Sequence, residues 1–374
     1  SRASCAGASR ITTSSQPRIA KVRSMSCGAT SRRSCSRTWG CRRTTRTSSS
    51  GPTRSHGRRA STSASGRTSL SVGLGYIPSV QFAPFYLADQ RGDYSAAGLD
   101  VTIQNQIDPD LISLVGTGSV DLALADGTSV IPAVSQGIPI RYIATIYGTL
   151  PNVVIARTDA GIAKPSDLRG KRIGTPGRYG SGYLTLLGIL ADVGLSEGDL
   201  SIELFPDFGQ TQALISGAVD AVTGYANNDL VQAKAAGVKV VAFYSSASAP
   251  FAGPGLIASE STIAAKGAAL RAFIAVTLKA MEAIESDPTV GVDAAGAVVP
   301  ELIADDASRA KSLAIMEATV AIWRGAMQRE RGLGAIDANG WITSINFLRN
   351  VPGQVVAAGL AIDDLLDETL LPKP

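Results

Sequence analysis

The residues best suited to chemistry are aromatic rings and side-chain amides gathered in loops behind short apolar runs. Tyr225-Ala226-Asn227-Asn228 follows the run 220–224, and Thr175-Pro176-Gly177-Arg178-Tyr179-Gly180-Ser181 closes the run 171–175. Tyr76, Gln81 and Phe82 follow a third run, and Asn105, Gln106 and Phe208 stand in comparable places. Rings offer flat, stiff contact area, and amides offer directional donors and acceptors. That mixture suits a heteroaromatic ligand held without covalent chemistry. From residue 71 onward there is neither Cys nor His, because Cys5, Cys27, Cys35, Cys41 and His56 all lie earlier. Zinc sites, thiol nucleophiles, disulfides, Ser-His-Asp triads and histidine bases are therefore excluded from that stretch. Gly73-x-Gly75 is too short for a dinucleotide fingerprint, and no Walker motif occurs. The reading is binding rather than catalysis, with no metal and no cofactor.

Charge divides the chain. Residues 1–70 hold 15 of the 35 Lys and Arg residues and no Asp or Glu, leaving 20 basic against all 31 acidic residues beyond them. This first segment is Ser, Thr, Arg and Gly with scarcely an apolar residue in series. It cannot bury enough surface to offset chain entropy and is read as disordered. It lacks the Lys-rich blocks and aromatics of a nucleic-acid arm and the helical spacing of a DNA-binding head, so no nucleic-acid partner is expected. Its composition matches an out-of-frame translation of GC-rich DNA better than a functional tail. No leader-like apolar run appears, and no 18-residue apolar span stands out, so no membrane crossing is expected.

The elements that must position the loops come from an internal repeat. A shift of 99 residues sets Gly118-Ser119-Val120-Asp121 on Gly217-Ala218-Val219-Asp220 and 101–103 on 200–202, and extends without a gap to 72–75 on 171–174. Each half reads strand, helix, strand, helix, strand. Strands are expected near 72–76, 100–104 and 121–125, then 171–175, 200–204 and 220–224. Helices are expected near 83–92, 109–117, 181–193 and 210–217. Pro109 behind Asp108 marks a helix entry, and Gly98 and Gly194 mark helix ends. The alternation implies an α/β fold of two lobes, each a mostly parallel sheet flanked by helices. Ligands of such sheets bind at the carboxyl ends of the strands, where the aromatic loops converge. A strand near 256–258 then returns to the first lobe. Three helices follow, at 268–286, 308–329 and 339–349, with Trp323 and Trp341 on buried faces. The expected organisation is 1–70 disordered, 71–157 first lobe, 158–246 second lobe, and 247–374 return to the first lobe.

The stretch 72–103, with 118–126, 167–183 and 217–229, resembles the type II extracytoplasmic solute-binding proteins of ABC importers, in the nitrate, sulfonate and thiamine-pyrimidine branch. The resemblance covers residues 71 to about 370. The loop 75–86 is most similar to the riboflavin-binding members, since the Trp and His common in pyrimidine binders are absent. The resemblance implies an extracytoplasmic, monomeric binder that delivers its ligand to ABC permease subunits, touching the membrane only through a lipid anchor outside the chain. It implies Gln81 and Phe82 against the ligand, helix-terminal amides with Tyr179 and Ser181, and Tyr225, Asn227 and Asn228 as a stacking ring with polar contacts. Asp126, which falls on Tyr225 under the repeat, faces the same cleft. Tyr147 lies near the crossover, within reach of the cleft. Arg178 is open between an anionic contact and plain exposure. A riboflavin-like ligand is favoured, with a thiamine pyrimidine precursor or an alkylsulfonate or nitrate-like anion as alternatives. A pyrimidine-synthase-type enzyme would need a histidine that the region lacks.

Overall fold

Short runs of β-branched and apolar residues build ten strands in a computed structural model that describes residues 66–105, 110–244, 252–351 and 353–372. The readings for Gln106, for Asp108 and Pro109 as a helix entry, and for residues 1–65 lie outside these. The strands are β1 (Thr68–Gly73), β2 (Leu99–Gln104), β3 (Leu122–Ala125), β4 (Ile140–Thr145), β5 (Asn152–Arg157), β6 (Arg172–Thr175), β7 (Ser201–Leu204), β8 (Ala221–Tyr225), β9 (Val240–Tyr244) and β10 (Gly255–Ser259). They form two five-stranded sheets, ordered β2-β1-β3-β10-β4 and β7-β6-β8-β5-β9. In each sheet four strands run one way and one is reversed: β10 lies antiparallel to β3 and β4, and β5 antiparallel to β8 and β9. The reversed strands are those that carry the chain between the sheets.

Three expectations about extent are corrected here. Ordered strand begins at Thr68 rather than after residue 70. The second sheet begins at Asn152, so the crossover falls between Thr145 and Asn152, not at 157. The apolar run 152–157 carries no turn signal, which is why it reads as a continuation of the first lobe. The repeat also has a gap. Val72 pairs with Ile103 and Leu122, whereas Ile173 pairs with Ile202 and Ala221. The second and third strands thus keep the 99-residue spacing, but the first strands are 101 apart. The first half spends its two extra residues on two helices, Ala83–Gln90 and Asp93–Ala96, where the second half has the single helix Gly180–Asp192.

The repeated Asp has the same work in both halves. Asp121 Oδ2 accepts from the Ser71 backbone N–H at 2.9 Å, and Asp220 Oδ2 from that of Arg172, also at 2.9 Å. Each carboxylate ties the third strand to the first at the end away from the loops. Both glycines expected to end helices adopt left-handed backbone, with φ of 77° at Gly98 and 67° at Gly194. The C-terminal helices cover the first sheet with Leu270, Phe273, Ile274, Met281 and Trp323 in its core, while Trp341 packs on the sheet's other face.

The expected helix 308–329 is broken. It runs Asp306–Trp323 and resumes at Ala326–Arg331. The crossover is the cause: the Gly148 and Thr149 N–H groups each donate at 3.1 Å, to the carbonyls of Trp323 and Ile322. Among the described residues one helix, Glu260–Ser286, does satisfy the length and hydropathy of a membrane span, contrary to the sequence expectation. Its apolar face is spent in the core, with Leu270, Phe273 and Ile284 fully buried.

Candidate functional site

Loops at strand ends of both sheets line one cleft of about 360 Å³ between them. The first lobe lines it with Tyr76, Gln81, Phe82, Asp126 and Tyr147, and the second with Asn152, Thr175, Tyr179, Ser181, Tyr183, Phe208, Gln210, Thr223, Tyr225, Asn228 and Asp229. Eight of the ten residues singled out from sequence are thereby brought together: Gln81, Phe82, Asp126, Tyr147, Tyr179, Ser181, Tyr225 and Asn228. Arg178 and Asn227 are not among the lining residues.

Local structure explains each placement. Ser79 caps the short turn that carries Gln81, its Oγ accepting from the Gln81 N–H at 3.2 Å. Asp126 caps the helix Gly127–Ser135, with Oδ1 accepting the N–H groups of Thr128 and Ser129 at 3.0 and 3.2 Å. Tyr147 is buried, and its hydroxyl lies 3.5 Å from the Gln81 carbonyl. Tyr179 stands at the mouth, 60% exposed, beside a glycine with a purpose: a Cβ at Gly177 would overlap the Tyr179 ring. Arg178 pairs instead with Glu197, which also accepts from the Tyr183 hydroxyl. The open question of an anionic contact is thus answered by a neighbouring carboxylate. Asn227 is 1% exposed, and its Nδ2 donates to Gln81 Oε1 at 3.2 Å and to Thr319 Oγ1 at 2.9 Å. It joins the lobes to each other rather than facing the cleft.

Several ionisable groups in the cleft wall are buried. Burial pushes the phenols of Tyr76, Tyr147 and Tyr225 well above their ordinary values, with the charge of Asp229 adding to the effect at Tyr76. Burial also holds the Asp229 carboxyl above the usual carboxylate range, against hydrogen bonds from Thr211 and the Tyr225 N–H. Among the described residues no Lys, Arg or His lines the cleft. Tyr76 and Phe208 meet across it edge to face, with ring centroids 4.9 Å apart. Phe208 does so with φ of 60°, a left-handed backbone unusual for a bulky residue.

Sequence reasoning did not single out Asn152, Thr223, Gln210 or Asp229. Asn152 opens the strand that was not recognised as part of the second lobe, and Gln210 and Asp229 stand as first residues of helices. The polar residues between aromatic rings carried the only available signal.

Comparison with known proteins now has a geometry to meet. A family model described as NMT1/THI5 like matches residues 79–290. The riboflavin-binding protein RibY of Chloroflexus aurantiacus is 30% identical over 283 residues, covering 75% of this chain and 80% of its own length. The chain belongs to the NMT1/THI5-like family. A second relative, the formylaminopyrimidine-binding protein of Halalkalibacterium halodurans, is 26% identical over 287 residues, covering 75% of this chain and 84% of its own length. The alkanesulfonate-binding protein SsuA of Xanthomonas axonopodis pv. citri, solved with MOPS bound, shares the fold at a TM-score of 0.58. That match has 18% identity and covers 78% of this chain and 96% of the other. The fold of this NMT1/THI5-like chain is therefore that of the periplasmic binding proteins: two mixed sheets flanked by helices, with the cleft between them.

Proposed function

We propose that this protein is the solute-binding component of an ABC importer, capturing a small, uncharged heteroaromatic nutrient and delivering it to membrane permease subunits. The observation that carries this reading is a cleft between two lobes, walled by aromatic rings and lined by no cationic side chain among the described residues. Rings on both walls can sandwich a flat ligand, whose contacts to both lobes would favour the closed arrangement. A flavin is the favoured ligand, supported by the 30% identity to RibY and by the shared coverage of both chains. A pyrimidine is the second reading, supported by the formylaminopyrimidine-binding relative of similar coverage. An alkylsulfonate or nitrate is disfavoured, because Asp126 and Asp229 line a cleft without a countercharge, and burying an unpaired anion is costly. The protein would act outside the cytoplasm as a monomer, with no catalytic step.

Titration of riboflavin fluorescence with the purified protein tests the reading. Saturable quenching that is lost in the Tyr225→Ala and Tyr179→Ala variants supports a flavin carrier. No quenching, with thermal stabilisation by an aminopyrimidine instead, transfers the assignment to pyrimidines. Stabilisation by methanesulfonate alone overturns the uncharged-ligand reading.

A further inference from the structure

Part of the second-lobe wall of the cleft has its hydroxyls and one amide hydrogen engaged within the wall while two side-chain acceptors stay unpaired. Thr223 and Thr175 are both buried, and their hydroxyls form a relay: Thr223 Oγ1 donates to Thr175 Oγ1 at 2.9 Å, and Thr175 Oγ1 donates to the Gly177 carbonyl at 3.2 Å. The Gln210 Nε2 amide lies 3.5 Å from the Thr223 carbonyl, which orients the amide with its oxygen turned away. The Tyr225 N–H is committed to Asp229 at 2.7 Å, as is the Thr211 hydroxyl. Among the described residues two acceptors in this same wall have no partner, Gln210 Oε1 and Asn152 Oδ1. Their residues are 4% and 3% exposed and both line the cleft. A buried acceptor left unpaired is costly, so the wall gains from a ligand that brings hydrogens to it.

We infer that Asn152 and Gln210 are specificity-determining residues that select ligands presenting N–H or O–H donors to the second lobe, such as a lactam, imide or amino edge of a heterocycle. This rests on the solute-binding reading above and narrows its ligand class. An acceptor-only edge set against Asn152 and Gln210 meets their lone pairs. A ligand alkylated at its donor nitrogen keeps the ring stacking but leaves both amide oxygens unpaired. Sites built to hydrogen-bond a substrate group discriminate strongly against analogues that lack it.

The test is a matched-pair panel on the full chain, read by thermal shift and isothermal titration. The probes are riboflavin against its N3-methyl derivative, an aminopyrimidine against its N,N-dimethyl counterpart, and methanesulfonate. Each parent is expected to bind at least about tenfold more tightly than its alkylated partner, the scale set by one unmade buried hydrogen bond. The ratio should fall towards one in Gln210→Met and in Asn152→Ala, a collapse that loss of packing alone would not produce. If Gln210→Met does not fold, Asn152→Ala carries the same comparison. Aminopyrimidine discrimination without flavin binding defeats the flavin assignment and leaves the donor-edge inference standing. Equal binding within each pair overturns the inference whichever ligand binds. Binding of methanesulfonate alone, or of none of the five probes, overturns both.

Discussion

Asp229 shows how one side chain can set both the shape and the pH response of the cleft. Its carboxylate holds the Tyr225 backbone and the Thr211 hydroxyl, and the residue is itself buried in the cleft wall. Burial raises its folded pKa above the unfolded value of about 4, so the folded state binds this proton more tightly. Its stabilising contribution is complete below about pH 4 and declines as pH rises through the folded pKa, since the native state then pays to hold a buried charge. Asp229→Asn removes the titration while keeping the acceptor for Tyr225. Urea denaturation from pH 4 to 8 should show wild-type stability falling with pH more steeply than the variant's. Parallel pH profiles would show that the carboxyl is ionised at no cost in the fold. The aromatic half of the site was legible from sequence because Tyr and Phe recur in one kind of loop. Asp229 was not, because an acidic residue opening a helix has an ordinary explanation.

At the scale of the element, loops are aimed by glycines whose Cβ would collide with the residues that line the cleft. A Cβ at Gly224 would overlap the Asp229 side chain, and one at Gly177 would overlap the Tyr179 ring. The two cases should separate. Gly224 lies within buried β8, so Gly224→Ala forces Asp229 out of a packed place and should cost about 1–3 kcal/mol in denaturant unfolding. Gly177 faces an exposed ring, so Gly177→Ala should leave stability within about 0.5 kcal/mol and weaken ligand binding several-fold by displacing Tyr179. Equal effects of both on stability would mean that the Tyr179 loop is packed rather than free. The alternation of short strands and helices was readable because each carries its own hydrophobic period and glycine stop. The reversed strand β5 was not, since strand direction is decided by where the chain re-enters a sheet, which local pattern does not encode. The two-residue offset between halves escaped for a related reason: an alignment anchored on 118–121 and 217–220 cannot sense added length between the first and second strands.

At the scale of the whole molecule, the contacts that join the lobes decide how readily the cleft closes. Asn227 of the second lobe gives its amide hydrogens to Gln81 of the first lobe and to Thr319 on the helix Asp306–Trp323. The crossover is tied to the end of that same helix through Gly148 and Thr149. Under the proposed binding function, opening the cleft would part Asn227 from both acceptors while the crossover stayed attached, which would make Asn227 a clasp and the crossover a pivot. A clasp that favours the closed arrangement raises ligand affinity without touching the ligand, because less of the binding energy is spent on closure. Asn227→Ala should therefore weaken binding by about two- to tenfold, the range of one net hydrogen bond. The loss should fall mainly on the dissociation rate, since the ligand enters the open form in either protein. Small-angle scattering should show a larger radius of gyration for the ligand-free variant than for the ligand-free wild type, and the same radius for both when saturated. Stopped-flow traces with unchanged dissociation would show that Asn227 merely fills space between the lobes. Thr319→Val offers an independent reading, because it removes one acceptor, leaves the cleft lining intact, and should move the same two observables in the same direction by a smaller amount.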